Sequence, residues 1–95
     1  MRKIAVISAI LENPGATQQA FNDTVSQFSH IVRGRLGLPF ERERVAAIAL
    51  TVCGSLDEIN ALTGRLGRLP GTQIKTAISK LDMDETETQR YMEER

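Results

Sequence analysis

Apolar residues along the chain fall into two dense runs and several sparse, periodic ones. The densest run is Val45–Gly54, VAAIALTVCG, which holds no charge and is rich in aliphatic and β-branched side chains. Such a run, closed by glycine, predicts a buried central strand. A second aliphatic run over residues 4–11 predicts another. Residues 30–38, HIVRGRLGL, alternate instead, with Val32, Leu36 and Leu38 on one face and Ile31, Arg33 and Arg35 on the other. Residues 72–80, TQIKTAISK, also alternate, with Ile74 and Ile78 sharing a face. Alternation of this kind predicts half-exposed edge strands, with Gly34 and Gly37 as bulge sites.

Two stretches carry helical spacing. Phe21, Val25 and Phe28 lie four and three residues apart, one stripe of an amphipathic helix. Ahead of them Asn13 offers a cap, and Pro14 suits a first turn whose amide would be unpaired anyway. Further on, Ser55 stands three positions before Glu58, the capping box in which each side chain satisfies an amide at a helix start. Ile59, Leu62 and Leu66 form the inward stripe of that helix, Gly67 ends it, and Pro70-Gly71 turns the chain. The mixed run Glu41-Arg42-Glu43-Arg44 predicts a solvated loop.

The order is strand, helix, strand, strand, helix, strand, and the first and third strands are the most apolar. That combination predicts an α+β fold, a ferredoxin-like βαββαβ plait. Its four-stranded antiparallel sheet would carry two helices on one face and the first and third strands at its centre. On the third strand Ile48, Leu50 and Val52 then meet the helices, while Ala47, Ala49, Thr51 and Cys53 face away. This second face is small and apolar where water would favour polar residues. The first strand adds either Ala5, Ile7 and Ala9 or Ile4, Val6 and Ile10 to it. An apolar patch of several hundred Å2 predicts a homo-oligomer, a dimer or tetramer, with this face or a neighbouring edge between subunits.

Composition narrows the function classes. The length of 95 residues fits one domain, placed over residues 1–80, followed by a charged tail over residues 81–95. In that tail Asp82 is a candidate helix cap, and only Met83, Tyr91 and Met92 could form an apolar stripe. Twelve basic residues balance twelve acidic ones, so long-range attraction to nucleic acid or anionic lipid is not expected. The central strands also lack the aromatics on which bases would stack. The N-terminal apolar run is short and lacks a small-residue cleavage site, which favours a strand over a signal peptide. No run approaches the roughly 20 residues of a membrane-spanning helix. Cys53 is the lone cysteine, excluding an internal disulfide and fitting a cytoplasmic protein.

Candidate chemistry is sparse. One histidine and one cysteine offer no nucleophile–base spacing, so no catalytic residue is assigned and an enzyme is not expected. His30 and Cys53 are too few for a metal site in a monomer, and no metal is assigned. Gly64, Gly67 and Gly71 do not make a phosphate loop or dinucleotide fingerprint, and no cofactor is assigned. Two features could take an anion. Arg33 and Arg35, on one face of an edge strand, could hold a carboxylate or phosphate, or simply keep that edge soluble. The turn Asn13-Pro14-Gly15 opens a helix whose free amides favour negative charge, and Gly15 permits close approach of a ligand.

Two segments carry a family resemblance: GRLGLP at residues 34–39, and the more specific LTGRLGRLPG at residues 62–71. Together with the intervening VAAIALTV strand they resemble the iron-only hydrogenase system regulators, over roughly residues 3–80. The resemblance implies an ACT-like, ferredoxin-like fold, similar to the C-terminal domain of the nickel-responsive transcription regulator. It also implies an oligomeric regulatory module in transcriptional control of a hydrogenase system. ACT-like domains bind amino acids or other small ligands near the first strand–helix turn, which here spans Asn13 to Thr17. The ligand-binding set expected is therefore Asn13, Gly15, Thr17, Arg33 and Arg35, for a small anion or amino acid. The chain departs from the nickel regulator in leaving no room for its DNA reader and in lacking its histidine cluster. The alternative reading is a structural protein–protein interaction module with no small-molecule ligand.

Overall fold

A computed structural model describes residues 1–82. The elements are β1 (Lys3–Glu12), α1 (Pro14–Ser26), β2 (Val32–Phe40), β3 (Val45–Gly54), α2 (Leu56–Gly67) and β4 (Thr72–Ile78). All four strands form one antiparallel sheet in the order β2-β3-β1-β4. This is the ferredoxin-like plait, with the two dense apolar strands at its centre. The charged tail expected beyond Lys80, with its helix capped by Asp82, falls almost wholly outside the described residues.

Strand alternation sorts the side chains into two layers. Ala5, Ile7, Ala9 and Leu11 of β1 and Ala46, Ile48, Leu50 and Val52 of β3 are buried beneath the helices. Phe21 and Val25 of α1 and Ile59, Leu62 and Leu66 of α2 close the core from above. On β1 it is therefore Ile4, Val6 and Ile10 that share the opposite side with Ala47, Ala49 and Thr51. Phe28 packs against this core from a turn just past α1, two residues beyond the helix end.

The two helix starts differ. Ser55 and Glu58 form the full capping box: the Glu58 amide donates to Ser55 Oγ at 3.1 Å and the Ser55 amide to Glu58 Oε1 at 3.0 Å. Asn13 departs from the expected side-chain cap. It sits in the left-handed region at φ 54° and makes no side-chain capping bond. The chain reverses from β1 into α1 within one residue, and asparagine is among the few residues that tolerate that conformation.

A bulge corrects the reading of β2. The register shifts between Val32 and Gly34, leaving Arg33 as the extra residue. Val32 pairs with Val52 on the helix side, whereas Leu36, Leu38 and Phe40 pair with Ala49, Ala47 and Val45 on the other. An inserted residue reverses the alternation downstream, so Val32 does not share a face with the two leucines. Close packing just beyond the bulge needs glycine on β3: a Cβ at Gly54 would lie 2.8 Å from Ile31 Cγ2.

Candidate functional site

The side of the sheet away from the helices is bare among the described residues, apolar over β2, β3 and most of β1 and polar at its β4 edge, where Gln73 and Lys75 pair with Ile10 and Ser8. Ile4, Val6 and Ile10 of β1 and Leu36, Leu38 and Phe40 of β2 are all exposed. Between them lie the smaller Ala47 and Ala49, half-buried, and Ser8. Large residues flanking small ones create a shallow depression of about 230 Å3 lined by Ser8, Ile10, Leu36, Leu38, Ala47 and Ala49. Its walls hold no titratable group, so it can hold apolar surface but cannot move a proton.

The five residues expected to bind a ligand are distributed around the molecule. Asn13 and Gly15 meet in a groove of about 220 Å3 at the start of α1, facing Pro39, Phe40, Glu41 and Arg44. Arg44 also adopts a left-handed conformation, φ 57°, and its carbonyl accepts the Asn13 amide at 2.9 Å. This tie makes the β2–β3 loop one wall of the groove. The sequence places Arg44 in a solvated loop, and no periodicity marks this contact, because it is made across the fold. Thr17 is buried, and its hydroxyl donates to the Pro70 carbonyl at 3.2 Å. That bond fastens α1 to the turn after α2.

The arginines separate at the bulge. Arg35 lies over α1, donating from Nη2 to Asn22 Oδ1 at 2.7 Å with its guanidinium 5.6 Å from the Phe21 ring centroid. It lines a depression that shares Pro14 and Pro39 with the groove, so Arg35 flanks the start of α1. Arg33 instead joins Arg2, His30, Ser55 and Glu58 around a cleft at the start of α2. There His30 Nε2 lies 2.7 Å from Glu58 Oε2, so the histidine meets a carboxylate. The Ser55 amide bond first, and then His30, hold the Glu58 carboxyl below the usual carboxylate range. Cys53 is buried as a free thiol. Among the described residues no helix is long and apolar enough to cross a membrane.

The model of the TM1266-like family, described as "Iron-only hydrogenase system regulator, putative", matches residues 3–76. The structure of the uncharacterized protein TM1266 from Thermotoga maritima superposes with a TM-score of 0.80 at 28% identity, covering 84% of this chain and 100% of that one. The cofactor-independent oxygenase SnoaB from Streptomyces nogalater superposes with a TM-score of 0.54 at 9% identity, over 90% of this chain and 98% of that one. At that identity the likeness is one of fold alone. No curated protein matches the sequence. The family match runs from the first residue of β1 into β4, through every element described above, and the chain belongs to the TM1266-like family of iron-only hydrogenase system regulators.

Proposed function

We propose that this chain is a non-enzymatic regulatory module of a hydrogenase system that acts by association with another protein surface. The uncovered apolar side of the sheet carries this reading, since exposed apolar surface of such extent marks contact sites. The family's description as a regulator supports it, and the buried free thiol of Cys53 supports a reducing, cytoplasmic setting. Control of transcription would then run through a partner, without direct contact to nucleic acid. Sedimentation at micromolar concentration tests the reading: an assembly, alone or with a co-purifying protein, is expected. A chain that remains a bare monomer under all such conditions overturns it.

A second reading adds a small ligand in the manner of an ACT-like domain. Its support is the groove at Asn13 and Gly15, where the amide end of α1 favours an anion and the lining includes Arg44 beside Glu41. Gly15 has open space around a would-be Cβ, so Gly15→Val should fold and yet crowd the groove. Amino acids, nucleotides and inorganic phosphate are the probes. A ligand that raises the melting temperature of the parent and not of Gly15→Val supports the reading. Association without any such shift favours the purely structural interaction module.

A further inference from the structure

We infer that the surface covering the bare side of the sheet is the same surface of a second copy of this chain, the two sheets stacking face to face about a two-fold axis. The inference rests on the association reading above and names its partner. Leu36 and Leu38 are 62% and 52% exposed, standing beside the depression floored by Ala47 and Ala49. One surface thus carries both projecting leucines and a hollow lined by alanines. A two-fold contact requires this self-complementarity, since each patch must meet its own image. Small residues in the middle let a second sheet approach to the ~10 Å spacing of stacked sheets.

The area agrees. The six large apolar side chains of this side together expose roughly 500 Å2, the upper range for a single apolar patch on a monomer. With the half-buried Ala47 and Ala49 between them, each copy offers roughly 600 Å2, so two copies would bury about 1,200 Å2, the lower end of a standard interface.

The remaining chain is a poor competitor for the site. Residues 83–95 contain seven charged residues and only Met83, Tyr91 and Met92 as large apolar ones. Such a segment would place charges over leucines, which desolvation opposes. The last described residue, Asp82, is also tied to Lys3 at 2.7 Å, and Lys3 alternates in step with the core residues Ala5 and Ile7.

The test is sedimentation velocity of the full chain beside Leu36→Lys and Ala49→Glu, with far-UV circular dichroism to verify folding. Leu36→Lys is the safer variant, because its site is largely exposed. The parent should sediment as a dimer at micromolar concentration, and each folded variant as a monomer, with association weakened about 100-fold or more by an unpaired buried charge. Gln19→Glu, on an exposed turn of α1, should leave the dimer intact. A parent dimer that survives Leu36→Lys overturns the face-to-face contact while leaving association standing. A monomeric parent that assembles only with another protein overturns the second copy as occupant. A bare monomer overturns both readings.

Discussion

On the helix side of the sheet, Ile7, Leu11, Leu50 and Val52 are sealed beneath Phe21, Ile59, Leu62 and Leu66. On the other side of the same strands, Ile4, Val6, Ile10, Leu36 and Leu38 stand exposed. The centres of the two sides are both apolar and differ in relief, and only the bare side has a polar border, at Thr51, Gln73 and Lys75. The covered side presents large residues to large residues from two helices, filling the space between layers. The bare side sets its large residues around Ser8, Ala47 and Ala49, leaving a hollow. A core closed within one chain needs its own partner layer. A surface with a hollow and projections of matching chemistry is suited to receive one from outside.

The same substitution on the two sides measures that difference. Leu50→Ala, at a fully buried site, should cost about 3 kcal/mol in urea unfolding, from lost transfer energy and the cavity left behind. Out of a total of about 5–15 kcal/mol this is a large share. Leu36→Ala in dilute solution should cost under about 1 kcal/mol, because an exposed side chain has little burial to lose. Equal costs for the two would break the distinction.

Smaller effects sharpen the picture at the rim of the core. Gly54→Ala brings a Cβ to 2.8 Å from Ile31 Cγ2 and should cost about 2 kcal/mol in the same assay, as overpacking does. Loss of the capping box by Ser55→Ala should lower stability by about 1 kcal/mol. The smallest effect is a pH dependence. Glu58 has its carboxyl pKa lowered from 4.5 in the folded state, so its contribution is present above that value and is lost as pH falls through the folded value. Because the side chain is 39% exposed, screening holds the effect to a few tenths of a kcal/mol. Thermal melts of the parent and Glu58→Gln across the acid range should converge at low pH and separate above it.

The plait was legible because each apolar run carried its period undisturbed: dense over Val45–Gly54, and three or four apart over Ile59, Leu62 and Leu66. The capping box was equally plain, since both partners lie within one turn. What escaped depends on single residues or on distant contacts. The bulge at Arg33 shifts the register by one position, and alternation read straight through it put Val32 with Leu36 and Leu38. It also separates Arg33 from Arg35, which straight alternation puts on one face. The tie between Asn13 and Arg44 joins residues far apart in sequence, and neither carries a local pattern for it. The first-turn groove was thus half visible, through Asn13 and Gly15, and its opposite wall was not.

The face-to-face contact can be observed directly by methyl nuclear Overhauser spectroscopy on a mixture of isotope-labelled and unlabelled chains, filtered for signals between copies. Cross-peaks are expected from the Leu36 and Leu38 methyls of one copy to the Ala47 and Ala49 methyls of the other. Intermolecular cross-peaks confined to helix residues, or none from a sample that sediments as a dimer, would contradict the stacked sheets.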